Sequence, residues 1–269
     1  MTASPHPAIL HRRLWASAQR WALAWWRIID LGAVVLVLLL SPSSYGRAAR
    51  GRLMRQIYTD TVPILPGFTV LAALLSLVIT HIVVVTALSY GLTRYALEMV
   101  IRVLVLELIP LTAALFVAMR TTIPSGAQLA RLRQAGQLQA WQARGAGPLR
   151  MELLPRVAAG MYACITLAAL SCVVALVMAY LGVYGLTTAG LPTYTRMFGQ
   201  VFKPSITLVF ALKTLLFSLA VALIPMAGGL HPPPPGALLR QDGAEPASLA
   251  QLFAVLLLIE ALSLMGNYY

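Results

Sequence analysis

The amino-acid sequence predicts an all-α integral membrane protein of about five transmembrane helices, preceded by an N-terminal interfacial helix. Three observations carry that expectation. Of the 269 residues, 59% are hydrophobic and 10% charged, against roughly a quarter charged in soluble domains. Five apolar stretches approach or exceed the length of about 20 residues that a helix needs to cross a hydrocarbon core of about 30 Å. The basic residues, mostly Arg, gather between those stretches, so the net charge of +12 reads as a membrane face. A nucleic-acid partner is not expected, because it would call for a Lys-rich patch on a polar domain.

Residues 1–50 form a basic, Trp-rich region. Leu31 to Leu40 is nearly all apolar but too short to span, and upstream extension brings in Arg27 and Asp30. Trp15, Trp21, Trp25 and Trp26 alternate with Arg12, Arg13, Arg20 and Arg27, a mixture suited to a helix lying at headgroup depth. A sixth span is the alternative. No small-residue cleavage site follows the apolar run, so a cleaved secretory signal is not expected.

Residues 51–269 form the transmembrane domain. The spans run from about Thr61 to Tyr90, Tyr95 to Met119, Val157 to Tyr184, Ile206 to Met226 and Leu249 to Met265. Short loops rich in Lys and Arg stay cytoplasmic. Arg47, Arg50, Arg52 and Arg55 precede the first span, and Arg120, Arg131, Arg133, Arg144, Arg150 and Arg156 surround the link between the second and third. This places the N-terminus and that link inside the cell, and the C-terminus outside. The link, Thr121 to Pro155, alternates Gln and Arg with Leu129, Leu132, Leu138 and Trp141, which predicts one or two short amphipathic helices. They can serve as a docking surface or as a plain connector. The proline-rich segment from His231 to Pro246 reads as an extended spacer.

Charges inside a span cost a few kcal/mol each and are usually paired or face a cavity. Glu98 and Arg102 stand one turn apart in the favourable order. Glu107 precedes Pro110, which removes a backbone donor. Lys213 and Glu260 can meet between the fourth and fifth spans, and His81 is the one histidine within a span. Cys164 and Cys172 read as core or lipid-facing residues, with no metal-binding spacing. No nucleophile elbow, zinc-protease motif or phosphate loop is present.

From Arg55-Gln-Ile-Tyr58 onward the chain resembles the MlaE/YrbE family, the permease subunits of Mce-associated lipid ABC transporters. Glu107-Leu-Ile-Pro110 stands where the family has E-L-G-P and Ala118-Met-Arg120 where it has A-G-R. Arg133, Gln137-Leu138 and Pro148-Leu-Arg150 follow in order. There are departures: Ile109 replaces a glycine, Gln128 an acidic residue, Leu106 a basic one, and Gly136-Gln137 the family's E-Q pair. The resemblance implies a transport subunit of the bacterial inner membrane, not an enzyme, acting as a homodimer around an outward-facing cavity for phospholipid or a related lipid. It implies a periplasmic Mce-type protein and a cytoplasmic ATPase as partners. ATP and Mg would sit in that ATPase, with no cofactor in this chain. Matching positions assign the lipid cavity to Ile79, Thr86, Ala87, Tyr90, Glu107 and Leu108, with Arg102 nearby. ATPase coupling falls to Gln128, Leu132, Arg133, Gln137 and Leu138. A non-transporting scaffold for a periplasmic partner and an ion-coupled secondary transporter are the alternatives.

Overall fold

The computed structural model describes residues 25, 26, 28–41, 47–91, 93–143, 149–230 and 244–268. Among the described residues every regular element is helical. The Trp and Arg residues upstream of Trp25, Arg27, Arg144 and most of the proline-rich segment lie outside them.

Helix α1 (Ile28–Leu40) is apolar but has only 13 positions, about 20 Å of rise and too short to cross. It lays Leu31 and Val35 against Leu129, Val157, Leu223 and Met226. Helix α2 (Arg47–Thr61) runs across the boundary expected near residue 50 and packs along the foot of the third span. Five helices are long and apolar enough to cross a membrane: Leu65–Ser89, Leu97–Gln134, Met151–Tyr184, Pro204–Leu230 and Ser248–Gly266. Each coincides with a stretch expected from sequence.

The second span departs most from expectation. It does not end near Met119 but continues to Gln134. At 38 residues it rises about 57 Å, well beyond the hydrocarbon core. It is built from the end of α4 (Thr93–Val100), then π1 (Ile101–Leu108), α5 (Ile109–Val117), π2 (Ala118–Thr122) and α6 (Ile123–Gln134). A third π-helical stretch, π3 (Leu149–Leu153), leads into α8 (Leu154–Tyr184). Each π stretch is followed by an α-helix with proline at its second position: Pro110, Pro124 and Pro155. Proline has no N–H for the carbonyl four residues back, and its ring crowds that carbonyl. Widening the preceding turn moves bonding to the fifth residue back, as where the Ile109 and Ile123 amides donate to Leu104 and Ala118.

The amphipathic link is thus α6, the tip of span two, followed by α7 (Gln137–Ala143). Gly136 makes the corner in the left-handed region at φ +72°, where a side chain is disfavoured. That is a local physical reason for glycine where the family resemblance led to expect glutamate. A helix not foreseen in the sequence, α9 (Leu191–Val201), fills the loop before the fourth span, α10 (Pro204–Leu230). Tyr194 on α9 donates its hydroxyl to the Leu176 carbonyl at 2.8 Å and meets the Tyr180 ring edge-on. Burial pushes the Tyr194 phenol up to about 12.

The core lies between spans two, three and four. Val100, Leu104, Ile109, Ala113 and Val117 pack against Ala163, Leu167, Ala175, Phe217 and Val221. Small residues set the closest approaches, as is common between helices in lipid. A Cβ on Gly126 would stand 2.4 Å from the Pro225 carbonyl oxygen, and one on Gly229 2.3 Å from that of Gly126. The fifth span, within α11 (Ala244–Tyr268), packs mainly on α10.

Candidate functional site

The polar centre of the bundle is built on Lys213. It sits ten positions into α10 and is 3% exposed. Its ammonium forms ion pairs with Glu107 of the second span and, at 2.8 Å, with Glu260 of the fifth. It also donates to the Leu106 carbonyl at 3.2 Å. Pro110 has no amide hydrogen to return to that carbonyl, so the proline that widens π1 also leaves an acceptor for the lysine. Glu107 lies about 15 Å along the helix from Leu97, at mid-depth. Two carboxylates around one ammonium give the cluster one formal negative charge in an apolar surround. Such a group is held only where it is paired or meets water.

The meeting of Lys213 with Glu260, inferred from depth alone, is present. Sequence reasoning did not foresee that Glu107 joins them. Arg102, expected near Glu107, makes the pair with Glu98 that their spacing predicts, its Nη2 and Nε both 3.1 Å from Glu98 Oε1. The available signal was that Lys213 and Glu107 stand at similar depth on spans running in opposite directions.

The other expected cavity residues fall in two groups. Ile79 and Leu108 pack against the core. Thr86 and Tyr90 are exposed at the end of α3 (Leu65–Ser89), and Ala87 is half-buried. Leu108 is next to Glu107 in the chain and shares a cluster with Ile79, whereas Thr86 and Tyr90 stand exposed. Of the expected coupling residues, Gln128 and Gln137 are exposed and Leu132 is half-buried. Leu138 is buried against the core cluster containing Leu129 and Met226. Arg133 donates to the Gly229 carbonyl at 3.0 Å, tying α6 to the end of α10. Leu138 and Arg133 therefore have work within this chain. Beside α2, burial holds the Asp60 carboxyl above its usual range, opposed by a hydrogen bond from Gln56 and by the charge of Arg156. Cys164 and Cys172 are free and buried, and the described residues hold no cluster of three or more potential metal ligands.

Five helices long and apolar enough to cross a membrane, packed around an ion-paired polar centre, define a multi-pass membrane protein. The family model for Permease MlaE matches residues 53–264, from within α2 to the end of the fifth span. The chain belongs to this family, and it is a membrane permease subunit and not an enzyme. None of the curated proteins compared matches it.

Proposed function

We propose that this chain is the permease subunit of an ABC-type lipid transporter of the bacterial inner membrane. It moves phospholipid or a related lipid between that membrane and a periplasmic Mce-type protein, driven by a separate cytoplasmic ATPase. The observation that carries this reading is the match to the MlaE permease family across all five spans. Two features support it. An apolar bundle with one compact charged centre suits a substrate that is mostly acyl chain with a polar head. The arginine-flanked tip formed by α6 and α7 projects beyond the membrane, where an ATPase can press on it. Exposed Thr86 and Tyr90 of two copies can line a shared cavity that one chain leaves open, which accounts for a homodimer. Arginine placement supports an N-terminus inside and a C-terminus outside.

Purification from native membranes in mild detergent, followed by native mass measurement, tests the assembly. Two copies of the chain with an ATPase and an Mce-type protein are expected. Recovery without any ATPase would overturn the ABC reading in favour of a scaffold or an ion-coupled carrier. For the substrate, reconstituted complexes should move labelled phospholipid only with ATP.

A further inference from the structure

A second polar feature lies far from the Lys213 cluster, at the foot of the bundle. A cleft of about 340 Å³ opens between α2 and the start of the third span, lined by Arg52, Arg55, Gln56, Thr59, Met151, Glu152, Pro155 and Arg156. Arg52 and Arg55 stand three apart on α2, hence on one face, and both are exposed. Among the described residues neither makes an ion pair or side-chain hydrogen bond. Arg156 is already held by Glu152, at 2.6 Å. Gln56 gives its amide to Asp60 at 2.9 Å, and Thr59 donates to the Arg55 carbonyl, which leaves the hydroxyl oxygen able to accept.

We infer that this cleft binds the phosphodiester of an anionic phospholipid through the guanidiniums of Arg52 and Arg55. Two planar forks lining one cleft suit phosphate oxygens, which guanidinium grips with paired charge-assisted hydrogen bonds. The surround selects a lipid over a soluble anion. The cleft sits where α2 leads into span one and where π3 opens span three. Spans one and three start on the same side of the membrane, because span two returns between them. Met54 and Tyr58 are exposed on the same helix, an amphipathic dressing suited to headgroup depth. Met151 and Pro155 offer an apolar flank to the glycerol end. Three guanidiniums against Glu152 within the cleft favour a headgroup with net negative charge, and basic pockets between helices at this depth commonly hold such lipids. The site acts at the membrane face independently of what the central cluster transports.

The test uses the full chain in detergent, with native mass spectrometry read against phosphatidylglycerol, phosphatidylcholine of the same acyl chains, and inorganic phosphate. Phosphatidylglycerol should bind at least about tenfold more tightly than phosphatidylcholine, a preference lost in the Arg52→Gln/Arg55→Gln double variant. Glu152→Gln, which removes the one carboxylate among the described residues lining the cleft, should tighten phosphatidylglycerol binding. Three results would overturn the inference: undiminished preference in the double variant, weaker or unchanged binding in Glu152→Gln, or displacement of the lipid by millimolar phosphate, which would mark a soluble-anion site. Both arginines are solvent-facing, so an unchanged unfolding midpoint is expected for the double variant.

Discussion

The second and fifth spans each contribute one glutamate to the same lysine, yet they are opposite kinds of helix. Just over half of the second span's apolar window, 56%, is buried inside the chain, against 11% for the fifth. The second is interrupted by two π stretches and packed on spans one, three and four, while the fifth is an uninterrupted α-helix resting mainly on α10. The contrast shows that burial and charge are separable in a membrane helix. Glu107 is placed by a helix fixed on several sides, whereas Glu260 is a main polar tie on a helix that otherwise faces outward. Losing Glu107 should disturb packing already in place, and losing Glu260 should loosen a whole span.

The strongest way to break this comparison is to remove what the two spans share. Lys213→Leu leaves two carboxylates facing each other, and a broken buried pair costs about 3–5 kcal/mol. A large fall in unfolding midpoint in detergent is expected, partly restored by adding Glu107→Gln and Glu260→Gln. No fall would show that the cluster does not hold the spans together. Next in size is Gly126→Val, whose side chain meets backbone at the α6–α10 crossing. A loss of about 2 kcal/mol or more is expected from the forced separation, confined to the second span's tip and visible as faster amide exchange in α6. Gly136→Glu tests the corner between α6 and α7. A side chain at positive φ costs about 1 kcal/mol, so a small fall in unfolding midpoint is expected, and any gain in co-purification with the proposed ATPase has to come from the new carboxylate against that strain. The smallest effect is expected at Leu258, 60% exposed on the fifth span. Leu258→Ile should shift the midpoint by under about 0.5 kcal/mol, while a comparable change at buried Leu104 costs more. Equal effects at the two sites would erase the distinction between the spans.

Much of the architecture was legible because the relevant signal is one-dimensional. Apolar run length located all five spans, and the Glu98–Arg102 pair followed from helical spacing alone. The end of span two was hidden because α6 is polar and continues the same helix, so a hydropathy boundary is not a structural one. α9 was hidden because its amphipathic pattern is short and lies in a loop. Within the candidate site, the meeting of Lys213 with Glu260 could be guessed from depth, but the choice between Arg102 and Lys213 as partner to Glu107 depends on which way a widened turn points a side chain. The prolines mark those turns, and Pro110 lacks the donor that would have occupied a carbonyl. What the sequence could not show was that a lysine 107 residues further on would use it.

The glycine crossing and the charged cluster join the same two helices at separate heights. Span two meets span four through Glu107 and Lys213 near mid-depth, and again where Gly126 lies against Gly229 and Arg133 holds the latter's carbonyl. These attachments are about 25 Å apart along the helices. Two helices pinned at two heights resist twisting or sliding against each other and behave as a single braced strut. A push on the tip of α6 would then arrive at mid-membrane as movement of the whole pair, with α11 carried along by Glu260.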